Sequence, residues 1–264
     1  MAIQDVKFDG LLAYLNKLGH VAVAFSGGVD STFLLASARM ALGKNVKAII
    51  VDSPALARHE LDEARQLAQT IGVDLIELKE EGIEEEIKYN PLNRCYFCKK
   101  VEYGSIKEEA ARHGIKYVLD GSNKDDLKDV RPGMKARDEL MVLSPLQELG
   151  FTKEEIRSFS KELGLATWDK QAAACLFSRI PYGQEIKPED LVKIEKAEKF
   201  LLDKGFRTVR VRCHNDLARI EVAPEDRDKL LADPLSTEVS KNLKSFGFRF
   251  VTIDLQGYRM GSFN

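Results

Sequence analysis

The stretch VAVAFSGGVDST, residues 21–32, runs from five apolar residues into Ser26, Gly27 and Gly28 and on to Asp30, Ser31 and Thr32. A short apolar run that breaks at glycines before the segment STFLLASARMAL predicts a buried strand, a sharp turn and a helix. Neither glycine carries a Cβ, so the backbone there can turn tightly and approach a ligand closely. The N–H groups and positive dipole end at the start of the helix make an anion the natural guest. The Walker phosphate loop adds a lysine for the terminal phosphates, and here both its spacing and its lysine are missing.

Outward from this stretch, strand and helix patterns alternate. An amphipathic segment at about 4–18 precedes it. VKAIIVD, DLIEL and IKYVLDG read as further strands, separated by helices over RHELDEARQLAQTIG and, after a pair of cysteines, KKVEYGSIKEEAARHG. Short apolar runs alternating with helices predict an α/β fold with a doubly wound parallel sheet, whose ligands bind at the carboxyl ends of the strands. Asp52 and Ser53 end one strand; Gly121 and Ser122 follow another.

From about 151 the pattern changes. FTKEEIRSFSKELGL opens with a capping box at Thr152 and Glu155, an irregular segment runs from Trp168 to Gly183, and KPEDLVKIEKAEKFLLDKG reads as a helix. The strand pair RTVRVRC and LARIEVA, two short helical segments and a last strand FRFVTIDL follow. We expect a first domain over residues 1–170 and a small α+β domain over 171–264.

The 264 residues include 40 basic and 42 acidic side chains, a formal net charge of −2. The balance lowers the expectation of a nucleic-acid partner. No apolar run is long enough to span a bilayer and no signal-peptide core opens the chain, so a cytoplasmic protein is expected. Four cysteines in a chain of this length do not make a disulfide scaffold. Cys95 and Cys98, in RCYFCKK, are close enough to share a metal or cluster or to form a redox pair. Cys175 lies in the irregular AAACLFSRIPYG. Cys213 shares the valine face of TVRVRC and reads as a small buried hydrophobe, while Arg210 and Arg212 lie on the other face, suited to gripping a phosphate or forming a basic face open to solvent. Trp168 reads as a packing residue.

Ser26-Gly27-Gly28-Val29-Asp30-Ser31 matches the S-G-G-x-D-S signature of the PP-loop ATP pyrophosphatases. That resemblance implies a loop that holds the pyrophosphate released when ATP is cut between its α and β phosphates, with Asp30 facing Mg²⁺ or capping the helix, and adenosine contacts from Asp52, Ser53, Gly121 and Ser122. AFSGGVDS, NRCYFCKK, LDGSNKDDLKDVRPGMKARDEL, SPLQELGFTKEEIR, TWDKQAAACLFSRIPYG and VRVRCHNDLARIEV together resemble, over nearly the whole chain, the LarE family of PP-loop sulfur transferases.

The LarE resemblance implies a homo-oligomeric enzyme that uses ATP and Mg²⁺ to adenylylate pyridinium-3,5-biscarboxylic acid mononucleotide on a carboxylate and convert it to a thiocarboxylate, for nickel-pincer nucleotide biosynthesis and lactate racemase maturation. Cys95, Cys98 and Cys175 match members that hold a 4Fe–4S cluster supplied by an external sulfur donor; other members sacrifice one cysteine. Ser178, Arg179 and Glu198 would act beside Cys175, and Arg210 and Arg212 would hold the substrate's phosphate. A glutamate in KAEKFL would otherwise be an ordinary surface residue, and Lys99 and Lys100 either steer anions or start an exposed helix. Three rival readings of the sequence are a tRNA thiolase, an amidase-type ligase such as NAD synthetase, and a non-catalytic nucleotide-binding protein with a structural zinc.

Overall fold

A computed structural model describes residues 5–128, 132–171 and 175–259; within AAACLFSRIPYG, Ala172–Ala174 lie outside the described residues. The chain divides into two compact units, Met1–Glu81 with Asn93–Ala173, and Gly82–Leu92 with Ala174–Asn264.

In the first unit the order is α1 (Val6–Leu18), β1 (Val21–Ala24), α2 (Val29–Leu42), β2 (Val46–Asp52), α3 (Arg58–Ile71), β3 (Leu75–Lys79), α4 (Arg94–Arg112), β4 (Tyr117–Leu119), α5 (Pro132–Glu139), α6 (Pro145–Glu148) and α7 (Lys153–Glu162). The strands pair in parallel in the order β3-β2-β1-β4. Alternation along each strand feeds two cores. Val21 and Val23, with Val46, Ala48 and Ile50, face a core shared with Phe8, Phe33, Leu61 and Phe159 of α1, α2, α3 and α7. Ala22 and Ile49 face the other, with Tyr103, Ile106 and Ala110 of α4. Both faces are therefore covered, as a parallel sheet requires, and the doubly wound expectation holds. From β1 the strand order runs one way to β2 and β3 and the other way to β4, so the turn after β1 opens at the switch point of the sheet.

Phe33 centres an aromatic cluster, stacked on Phe159 at 6.0 Å and tilted against Phe8 and Phe151. Its full burial contributes about 1.5–3 kcal/mol and seats α2 against α1 and α7. The capping box of α7 forms as the sequence predicts: Glu155 N–H donates to Thr152 Oγ1 at 3.2 Å and Thr152 N–H to Glu155 Oε2 at 2.7 Å. One boundary differs. α4 begins at Arg94 rather than after the cysteine pair, which places Cys95 and Cys98 inside its first turns.

The second unit carries α8 (Pro188–Asp203), β5 (Val209–His214), β6 (Leu217–Val222), α9 (Arg227–Leu231), α10 (Leu235–Ser245) and β7 (Phe250–Ile253). β5 and β6 form an antiparallel hairpin, with Asn215 at positive φ in its turn, and β7 joins β6 in parallel. The segment Gly82–Leu92 packs here. Buried Asn90, at φ 46°, donates its side-chain N–H to the carbonyls of Ile180 and Pro181 at 2.5 and 3.1 Å. Among the described residues no helix is long and apolar enough to cross a membrane.

Candidate active site

The turn after β1 is built for close backbone approach. Gly27 sits at φ +66°, a conformation that favours glycine, and a Cβ there would lie 3.2 Å from Ala64 Cβ of α3. Gly28 is the N-cap of α2, and no side chain caps it. The first N–H groups of α2 thus face the loop without a capping acceptor. Asp30 lies in the first turn and does not cap; its carboxylate instead accepts from Lys153 Nζ and, at 3.2 Å, from Asn123 Nδ2. Ser31 Oγ lies 3.0 Å from Ser26 Oγ, tying the two ends of the turn.

The strand next to β1 closes the loop from the side. A Cβ on Gly121 would stand 2.8 Å from Ser31 N, a distance that real Cβ atoms do not adopt. Asp120, 5% exposed, anchors that approach. It accepts from Tyr103 Oη and Ser122 Oγ at 2.8 Å and from Ser144 Oγ at 2.6 Å. Burial, followed by the Asp120 charge, raises the Tyr103 pKa well above its usual value, so the phenol remains a donor. Asp52, at the end of β2, pairs with Arg58, and Ser53 Oγ accepts from Ala55 N–H at 3.3 Å. Asp120, Lys153 and Lys170 were not singled out by the sequence. Asp120 lay one position before the glycine chosen, while the lysines reach the loop across long sequence separations that no local pattern records.

Cys95, Cys98, Cys175 and Cys213 are all free thiols. Cys95 and Cys98 stand three residues apart on α4 and so share a helix face. Cys95 is exposed, with Arg94 Nη2 4.0 Å from its Sγ. Lys99 pairs with Glu102 at 2.7 Å, and Lys100 lies over the Tyr96 ring. Cys175 is also exposed, but it belongs to the second unit. Among the described residues no three His, Cys, Asp or Glu side chains are gathered to hold a metal. Cys213 is fully buried, as its valine face predicts, and burial pushes its thiol up to about 12.

In the second unit Cys175 caps a short 3-10 turn, Leu176–Arg179. Its carbonyl accepts from Ser178 Oγ at 2.8 Å and Arg179 Nη1 at 3.1 Å. Arg179 in turn forms a two-point pair with Glu198 of α8, whose Oε1 also accepts the Val211 N–H at 2.9 Å. Glu198 is 5% exposed, so it is not an ordinary surface glutamate. Arg210 and Arg212 share the strand face the alternation predicts, but that face is not a solvated basic one. Arg212 is buried, donates to Ser178 O at 2.9 Å and pairs with fully buried Glu221 at 2.7 Å. Burial, then the nearby Arg179 charge, lowers the Arg210 pKa. Trp168 is exposed, with Lys161 Nζ 4.7 Å from its ring centre, rather than packed in a core.

The family model described as asparagine synthase matches residues 15–128, the span of the glycine loop and its sheet. The chain is similar, at 41% identity over its whole length and 96% of the relative's, to pyridinium-3,5-bisthiocarboxylic acid mononucleotide synthase of Lactiplantibacillus plantarum. It is similar, at 42% identity over 98% of this chain and 97% of the relative, to an uncharacterized protein of Synechocystis. A GMP synthase of Pyrobaculum aerophilum is 28% identical over 56% of this chain and 33% of its own length. A glycine-lined turn at the switch point of a parallel sheet, together with 41% identity to that synthase over the whole length of both units, leads to one assignment: the chain belongs to the LarE family of PP-loop sulfur transferases.

Proposed function

We propose that the chain is an ATP-dependent sulfur transferase acting on pyridinium-3,5-biscarboxylic acid mononucleotide. The observation that carries this reading is the bare glycine-lined N-terminus of α2 in a chain matching a bisthiocarboxylic acid mononucleotide synthase from end to end. A substrate carboxylate oxygen attacks the α-phosphorus of ATP, the bond to the bridging oxygen breaks, and pyrophosphate leaves from the Ser26–Ser31 loop. Adenylylation makes the carboxyl carbon electrophilic and AMP a leaving group. A sulfur nucleophile then attacks that carbon, expelling AMP and leaving a thiocarboxylate.

Geometry and chemistry support the following roles. Gly27, Gly28 and Ser31 receive the phosphates. Asp30 would supply the carboxylate that meets Mg²⁺, whose chemistry when bound would be to offset phosphate charge. Asp52, Ser53 and Gly121 border the nucleoside at the strand ends. Arg210 and Arg212 hold the substrate's phosphate, while Glu198, Arg179 and Ser178 fix the turn that presents Cys175.

For the sulfur source we propose that Cys95, Cys98 and Cys175 hold a 4Fe–4S cluster. Those three thiolates would hold the group, and the chemistry it would supply is a transferable sulfide. A second reading is supported by the exposure of Cys175 and the grip on its carbonyl: its own Sγ attacks the acyl adenylate, and elimination across Cα–Cβ, with loss of the Cα proton, leaves sulfur on the product. Protein purified without oxygen should contain about four irons per chain and make several products with an unchanged chain mass. Iron-free, fully active protein that loses one H₂S mass per product would replace the cluster with sacrifice of Cys175. The proposal includes a cytoplasmic homo-oligomer served by a separate sulfur donor; light scattering of the purified chain tests the assembly.

A further inference from the structure

After β7 the chain of the second unit keeps following β6 and ends up against the arginine strand. The Asp254 N–H donates to Ile220 O at 2.9 Å, and the Gly257 N–H closes a turn on Asp254 O at 3.1 Å. Gly257 takes φ +72°, and a Cβ there would stand 2.8 Å from Val222 O. The Tyr258 N–H donates to that same carbonyl at 2.7 Å. Val222 is paired across the hairpin with Val209, so the glycine turn delivers Tyr258 beside the start of β5. There the Arg210 guanidinium lies over the Tyr258 ring, Cζ 5.3 Å from its centre. Arg210 Nη1 also donates to Val209 O at 2.7 Å.

Arg210 stands where a cation is disfavoured. Burial, then the Arg179 charge, lowers its pKa; Arg212 acts in the same direction and Glu198 opposes both arginines. The electron-rich face of a tyrosine attracts a guanidinium, and a guanidinium stacked on a ring keeps its N–H edge for a phosphate. We propose that Tyr258 is a positioning residue whose ring holds the Arg210 guanidinium ready for the phosphate of the mononucleotide substrate. This rests on the assignment of Arg210 to that phosphate and adds a residue to it. The ring contact and the Val209 carbonyl select one conformation of a long side chain, so less rotamer freedom is lost when the phosphate arrives. Tyr258 acts through Arg210 and touches no substrate atom.

Calorimetric titration of the full chain with pyridinium-3,5-biscarboxylic acid mononucleotide, and separately with Mg-ATP, tests this. Tyr258→Leu should weaken mononucleotide binding by about three-fold or more, the scale of a cation–π contact, and leave Mg-ATP affinity within about two-fold. Tyr258→Phe keeps the ring face and should restore mononucleotide affinity to within about two-fold of the unaltered chain. Tyr258→Leu added to Arg210→Met should cost less than about two-fold beyond Arg210→Met alone, because the ring has no guanidinium left to hold. If Tyr258→Leu does not fold, Tyr258→Met is read the same way. A smaller loss in Tyr258→Leu, an equal loss for Mg-ATP, no recovery in Tyr258→Phe, or a further loss in the Arg210→Met background would each overturn the inference. Unchanged mononucleotide binding in Arg210→Met would instead overturn the phosphate assignment of Arg210, and no binding by the unaltered chain would overturn the substrate reading itself.

Discussion

Arg179 and Glu198 meet at two points, Nε to Oε1 at 2.9 Å and Nη2 to Oε2 at 2.8 Å, with side chains 4% and 7% exposed. The pair joins α8 to the turn that carries Cys175, and Glu198 also takes the Val211 N–H of β5. Removing one partner leaves a buried charge without its counterion, which costs about 3–5 kcal/mol. Glu198→Ala should therefore lower the melting temperature sharply and abolish sulfur transfer. Glu198→Gln, which keeps an acceptor, should lose less stability than Glu198→Ala in the same calorimetric scan. Equal melting of Glu198→Ala and the unaltered chain would contradict the pairing.

Gly121→Ala places a methyl 2.8 Å from Ser31 N. That atom is backbone and cannot swing away, so overpacking should cost about 1–3 kcal/mol and weaken ATP binding as the loop is displaced. Gly10→Ala is the matched control. Nothing lies within 4 Å of its added Cβ, and an alanine inside α1 should gain roughly 0.5–1 kcal/mol. Denaturant melts with ATP titrations distinguish the two.

Alkylation should separate the exposed thiols from the buried one. Cys95 and Cys175 are exposed, whereas Cys213 is buried with its thiol pushed up to about 12. The thiolate is the reactive form. Iodoacetamide at pH 8 on iron-free protein should label Cys95 and Cys175 within minutes and Cys213 only after denaturation, as read by peptide mass spectrometry.

His214 sets a pH dependence. Burial, then the charges of Arg219 and Arg212, lowers its pKa in the folded chain, below an unfolded value of about 6.5. Over that interval the unfolded state binds more protons, so folding stability falls as pH drops through about 6.5. The stability is complete above that range and lost toward the lower folded pKa. His214→Gln should flatten this part of the stability curve between pH 7 and 5; an unchanged slope would remove His214 as its source.

Strand, glycine turn and helix were legible because a continuous apolar run and the two glycines are local features, and the parallel sheet follows from the alternation of strands with helices. The capping box of Thr152 and Glu155 is legible for the same reason. Three features were not. The start of α4 at Arg94 was hidden because Cys95, Tyr96, Phe97 and Cys98 carry no helix-start signal that distinguishes them from a metal loop. The buried pairing of Glu198 depends on a β5 backbone donor and an arginine 19 residues away, so the helix KPEDLVKIEKAEKFLLD alone reads it as solvent-facing. Lys153 and Lys170 sit in stretches whose neighbours are ordinary charged residues, and only the fold carries their ammonium groups back to Gly27 and Asp30.

The central claim is that ATP activates a carboxylate of the substrate by transfer of AMP. Substrate labelled with ¹⁸O in its carboxylates, incubated with the protein, Mg-ATP and a sulfur source, tests it most directly. The account predicts AMP carrying one ¹⁸O, unlabelled pyrophosphate and a thiocarboxylate product. Unlabelled AMP, or ADP with ¹⁸O-labelled phosphate, would contradict it.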